Sequence, residues 1–250
     1  MCTKPLFLLA TLLLFIAPGK TAAQSKTISV DSFDKVIINP HIQVIFREGD
    51  KESVVVKEIS EPMEKLHVEV KNKVLHMYLD GARVVTKTEK IKGEGRKEKR
   101  PIYNGTVVKA VVTYKKAGTF SVRGDETIVF ESPIHLDKMR LNIYGESEVY
   151  LNEANVEDLR ATIYGECHLE IKKGDIAEQK FTTYGESEIN TLKANNRSTK
   201  IVAYGDSNFE GSVSERLKVT SYGEATVKYK GNPEIRKGIV IGDTEISSLP

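Results

Sequence analysis

A glycine recurs through the second half of this chain with a tyrosine before it and a carboxylate after it. The copies read "YGES" at 144–147, "YGEC" at 164–167, "YGES" at 184–187, "YGDS" at 204–207 and "YGEA" at 222–225. Their glycines, Gly145, Gly165, Gly185, Gly205 and Gly223, are 20, 20, 20 and 18 residues apart. Weaker copies lie 21 residues upstream at Gly124 and 19 residues downstream at Gly242. A period this short and regular means stacked units, none of which can bury its apolar face alone.

The residues around each glycine define the unit. Four positions before it stand Phe120, Leu141, Ala161, Phe181, Ile201 and Val219; two before it stand Val122, Ile143, Ile163, Thr183, Ala203 and Ser221. Four after it stand Ile128, Val149, Leu169, Ile189, Phe209, Val227 and Ile246. Period-two alternation on both sides of a glycine reads as strand, corner, strand. Each repeat has no room for a long helix, which disfavours a leucine-rich-repeat horseshoe. The expected fold is all-β, a parallel β-solenoid of about 20-residue rungs stacked about 4.8 Å apart. An antiparallel meander with each motif capping a hairpin is the alternative.

In a solenoid, the glycine supplies a backbone angle other residues resist, or lets rungs approach closely. Alternation turns Tyr144, Tyr164, Tyr184, Tyr204 and Tyr222 outward, where they would stack as a ladder. The acids Glu146, Glu166, Glu186, Asp206 and Glu224 follow the corner as a second outward column. Neighbouring carboxylates at that spacing repel by about 0.9 kcal/mol in bulk-water dielectric, less with salt. The column would suit a cation such as calcium, but exposed corners also simply tolerate acids. The Asp-rich loop of an EF-hand is absent. Ser147, Cys167, Ser187, Ser207 and Ala225 fill the small position after the acid, and Cys167 reads there as a stacked side chain, not a nucleophile.

Upstream, residues 24–118 lack the repeat and form an N-terminal β region, with strands in "KVIINPHIQVIF", "ESVVVKEI", "LHVEVKNKVLHMYL" and "TVVKAVVTY". Turn signals "REGD", "SEP" and "KNK" separate them. Residues 87–105, with seven Lys or Arg against three Glu, read as a long solvated basic loop. The repeat solenoid is assigned to 119–250. Residues 1–23 have the form of a signal peptide, with Lys4, an apolar run Leu6–Ala17 and small residues before cleavage after Ala23. That run is too short to span a bilayer, which takes about 20 residues. Without Lys4 and Lys20 the 37 Lys and Arg fall level with the 35 Asp and Glu, so overall charge points to no nucleic-acid partner.

These features together resemble a bacterial family, the autotransporter adhesin head domain or GIN domain, common in the Bacteroidota. The resemblance runs over about Asp31 to Pro233 through "FDKVIINPHIQVIFREGD", "LHVEVKNKVLHMYL", "KAVVTY" and the repeated glycine turns. Family members more often carry "G-S-G" where this chain has "G-E-S". The resemblance implies an all-β solenoid-like fold, an envelope or surface setting, and no catalytic residues.

Motifs for chemistry are missing. The sequence holds no H-E-x-x-H, C-x-x-C, G-x-S-x-G or phosphate loop, and its five histidines are scattered. "RGD" at 123–125 owes its Gly-Asp to the repeat. The expected function is therefore an exported, non-catalytic, adhesin-like module of the periplasm, cell surface or exterior, without cofactor. It would bind a protein or glycan through the tyrosines and the acids that flank them. The alternatives are a carbohydrate-active enzyme on the same scaffold, marked by one isolated carboxylate pair in a cleft, or a structural envelope protein that self-associates.

Overall fold

The computed structural model describes residues 25–93 and 96–250. The expected signal peptide, residues 1–23, lies outside the described residues. Among these, the chain forms a ten-stranded sheet, an eleven-stranded sheet and a separate two-stranded hairpin.

The repeat is a parallel solenoid, as the glycine frame predicts. Strands Ile134–Gly145, Ala154–Gly165, Gly174–Tyr184, Ala194–Tyr204 and Arg216–Tyr222 lie in parallel register in the ten-stranded sheet. Each passes its glycine and continues into a shorter strand of the eleven-stranded sheet, from Glu148–Leu151 to Ala225–Lys230. The pairing Tyr144↔Tyr164↔Tyr184↔Tyr204↔Tyr222 places every motif directly over the next. Parallel register between successive copies excludes the meander, whose neighbours would run antiparallel.

The two sheets face each other across a single core. The inward columns named from the sequence are buried along the repeat, including Phe120, Phe181, Ile163, Leu169 and Phe209, except Ile246 on the last rung, which is partly buried. Thr183, Ala203 and Ser221 occupy the same inward column as Ile143 and Ile163, so the interior becomes more polar toward the C-terminal rungs. Gln179 is buried beside them and donates to Thr199 Oγ1 at 2.9 Å and Thr191 Oγ1 at 3.3 Å.

Close approach explains the glycines. Gly165 has φ of +107°, and a Cβ there would run into the carbonyl oxygen of Gly145 on the preceding rung. A side chain is excluded by the neighbouring backbone as well as by the backbone angle.

The N-terminal region is built into the same two sheets. Lys35–Ile38 pairs parallel with Thr119–Gly124, and Ile42–Glu48 pairs parallel with Thr127–Phe130. Together they make one more rung, whose corner is Pro40-His41, with His41 at φ +72° in place of a glycine. Both sheets thus run unbroken past residue 118. Antiparallel strands then close that end of the solenoid. Leu66–Lys71 and Val74–Leu79 form a hairpin turned at Asn72 and Lys73, both at positive φ. Ser53–Ile59 adds antiparallel to Val108–Tyr114, and Lys26–Ser29 adds antiparallel to Ser53–Ile59 at the edge. The segment read as a solvated loop, 87–105, instead carries an antiparallel pair, Thr88–Gly93 with Arg96–Pro101. Backbone pairing overrode its dense charge, because strand hydrogen bonds need only the main chain.

Candidate functional site

The tyrosines at the corner form one continuous stack. Ring centroids are 5.0 Å apart for Tyr144–Tyr164, 4.6 Å for Tyr164–Tyr184, and 4.9 Å for both Tyr184–Tyr204 and Tyr204–Tyr222. The planes agree within 6° in every pair. The strand spacing of about 4.8 Å sets this geometry, since in-register residues of parallel strands inherit the separation of their backbones.

The stack has consequences for recognition. Each ring face inside it is covered by the next ring, and the guanidinium of Arg123 caps the outer face of Tyr144 at 5.1 Å from the centroid. Arg123 also donates to Asn39 Oδ1 at 3.4 Å, so the arginine of the "RGD" triplet is occupied in ending the ladder. At the other end Tyr222 pairs with Ile241. What the ladder presents to solvent is a row of ring edges and hydroxyls, and none of the five hydroxyls has a protein partner among the described residues. Sugar stacking needs an open ring face, which the interior of the ladder does not offer.

The acids Glu146, Glu166, Glu186, Asp206 and Glu224 are exposed one residue beyond the glycines, as alternation predicts. Among the described residues no group of three or more His, Cys, Asp or Glu is arranged to hold a metal ion. The small residues that follow point inward. Ser147 Oγ donates to the Gly124 carbonyl at 2.7 Å, and Cys167 Sγ lies 3.3 Å from the Gly145 carbonyl. Burial pushes the Cys167 thiol up to about 11, the opposite of an activated nucleophile.

Sequence reasoning missed two features. The first is Glu126, the one charged residue fully buried among the described residues, at 6% exposure. It occupies the inward position where later rungs place serine, cysteine, alanine or, at Thr244, threonine, and it borders a cavity of about 420 Å³ with His41, Arg123, Val84 and Val85. Its substitution for a small residue within an otherwise regular column was a visible anomaly. The second is a column of cations: Arg140, Arg160, Lys180, Lys200, Lys218 and Arg236 pair in register on the outer face of the ten-stranded sheet. The first five stand five residues before successive glycines, so the glycine frame that located the tyrosines also contained them.

Fold and site define a parallel β-solenoid that carries an aromatic and acidic corner. The chain belongs to the family described as "Putative auto-transporter adhesin, head GIN domain", whose model matches residues 32–233. Solved structures share the fold. A "putative adhesin" from Bacteroides fragilis aligns with TM-score 0.74 at 16% identity, covering 90% of this chain and 96% of its own. Another from Parabacteroides merdae gives 0.62 at 17% identity, with 93% and 98% covered. A "putative lipid binding protein" from Parabacteroides distasonis gives 0.58 at 16% identity, with 91% and 96% covered. No match was found among curated proteins.

Proposed function

We propose that this protein is an exported, non-catalytic, adhesin-like binding module of the bacterial envelope. Its contact surface is the corner formed by Tyr144, Tyr164, Tyr184, Tyr204 and Tyr222 with Glu146, Glu166, Glu186, Asp206 and Glu224. Family membership supports an adhesin-like role at the cell surface and a partner, protein or glycan, encountered there. The observation that carries the reading is the row of five unpartnered hydroxyls at stack spacing beside exposed carboxylates. Such a row suits a partner that offers hydrogen-bond donors or cations at regular intervals. An extended strand and a linear glycan both do so.

The test separates recognition from stacking. A Tyr164/Tyr184/Tyr204→Phe variant keeps the rings and deletes three hydroxyls. Screened on a glycan array and in pull-downs from envelope extract, it should lose ligands that the unmodified chain retains, at unchanged melting temperature. Equal binding by both proteins would remove the ladder from the function.

The rung formed by Glu234–Ile241 and Thr244–Ser248 favours self-association as a second reading. Ile235, Ile239 and Ile241 are exposed there, and the outer edges of both strands are unpaired among the described residues. Unprotected edges invite pairing with another strand. Light scattering should then show a dimer that Ile239→Lys dissociates.

A further inference from the structure

We propose that the outer face of the ten-stranded sheet holds a second binding site, separate from the tyrosine corner. Its core is the cationic track of Arg140, Arg160, Lys180, Lys200, Lys218 and Arg236, and its ligand is an extended polysaccharide with a carboxylate on each sugar.

The track is single file. Six cations, one per rung, span about 24 Å along the solenoid axis at the strand spacing. Two of them are neutralised on their own strands: Arg160 binds Asp158 through two hydrogen bonds of 3.1 and 2.9 Å, and Arg236 binds Glu234 at 2.8 and 3.0 Å. Lys180, Lys200 and Lys218, three successive members, have no carboxylate at ion-pair distance among the described residues. They line a groove of about 370 Å³ with Ser198, Thr199 and Arg216. Three unpaired like charges stacked at this spacing repel one another, and a ligand that supplies one anion per rung relieves the repulsion. In a chain with nearly balanced charge, this concentration arises from the stacking, not from composition.

The surroundings select the ligand class. On one side of the track runs a column of Asn142, Thr162, Thr182, Val202 and Thr220, whose side chains are mostly hydroxyl and amide groups suited to sugar hydroxyls. On the other side runs a mixed column of Lys138, Asp158, Glu178, Ser198, Arg216 and Glu234, with Arg216 3.7 Å from Glu178, so a flat anionic membrane docked here would press against three carboxylates. Large exposed apolar residues near the track, Ile235 and Ile239, stand only on its last strand with Arg236, so most of its length has nothing to insert into lipid. A single-stranded nucleic acid needs open aromatic faces on which to stack its bases, and the nearby ring faces are covered by one another. A narrow chain with evenly spaced charges satisfies both flanks.

The experiment measures binding to polygalacturonate, with dextran, phosphatidylglycerol vesicles and a single-stranded oligonucleotide as comparisons. The protein should bind polygalacturonate, not dextran, and added salt should weaken binding, as for any solvent-exposed charge contact. The Lys180/Lys200/Lys218→Gln variant should bind at least about tenfold more weakly, each cation near an anionic surface being worth a factor of a few. Its melting temperature should match or exceed that of the unmodified protein. The Tyr164/Tyr184/Tyr204→Phe variant should bind polygalacturonate normally, so failure of the tyrosine reading and failure of this one remain distinguishable. Absence of polygalacturonate binding, retention of binding by the lysine variant, or equal loss in the tyrosine variant would overturn the site as described. Tighter lysine-dependent binding to vesicles or to the oligonucleotide would overturn the ligand class.

Discussion

The carboxylate of Glu126 sits 4.0 Å from Nδ1 of His41, at the inward position that Ser147 takes on the next rung. Burial pushes Glu126 up to about 7, although its Oε2 accepts a hydrogen bond from the Asp125 amide at 3.1 Å. A raised acid binds more protons in the folded than in the unfolded chain, so this group's contribution falls as pH climbs from about 4.5 to about 7. Above that window the buried charge is a standing penalty on the order of 3 kcal/mol. Glu126→Gln is therefore expected to stabilise the protein at pH 8 and to do so much less at pH 5. Urea unfolding at both values measures the difference, and a gap that does not change with pH would contradict the assignment.

The ladder also contributes to stability, independently of any ligand. Tyr184 is sandwiched between Tyr164 at 4.6 Å and Tyr204 at 4.9 Å. Tyr184→Ala removes two stacked pairs, each worth roughly 0.5 to 1.5 kcal/mol beyond area burial, so a loss of about 1 to 3 kcal/mol is expected. Tyr184→Phe keeps both pairs and gives up only a hydroxyl with no protein partner, so its unfolding midpoint should barely move. Equal destabilisation by the two substitutions would mean that the hydroxyl, not the stack, holds the corner.

Gly165→Ala should be among the most damaging single substitutions. The position combines a φ of +107° with direct collision against the Gly145 carbonyl oxygen. Backbone strain alone is worth about 1 to 3 kcal/mol, and the clash adds to it because a backbone atom cannot swing aside. Gly105→Ala provides the control, since its Cβ would meet nothing within 4 Å. Comparable unfolding free energies for the two variants would refute close rung approach as the reason for the repeated glycine.

Cys167 is expected to be inert in the folded state. In a Cys2→Ser background a thiol reagent at pH 8 should react only after denaturant is added, because burial holds the thiol protonated. Cys167→Ser should cost less than about 1 kcal/mol, since Ser147 on the preceding rung already makes the equivalent bond to Gly124. Rapid labelling of native protein would show the corner to be more open than its packing indicates.

Much of this architecture could be read from the chain. Alternation around Gly145 or Gly185 is a local property, so the inward columns and the outward tyrosines follow from counting in twos. The rung made by Lys35–Ile38 and Ile42–Glu48 escaped that counting because its corner is Pro40-His41 and carries no glycine marker. The hairpin Thr88–Gly93 with Arg96–Pro101 escaped it because charged side chains disguise a backbone that pairs. Lys180, Lys200 and Lys218 stood at one offset in the same frame, yet each alone is an ordinary surface lysine.

The period of twenty, the position of each corner and the sidedness of each residue around it were set by the order of amino acids, because strand alternation is decided within a few bonds. Tertiary structure alone determined which side chains stand above one another and what remains open once they do. It closed the tyrosine faces against their neighbours, set Lys180, Lys200 and Lys218 in one file, and buried Glu126 beside His41. Those outcomes depend on distances between residues about twenty or more positions apart in the chain, and such distances exist only after the rungs have stacked.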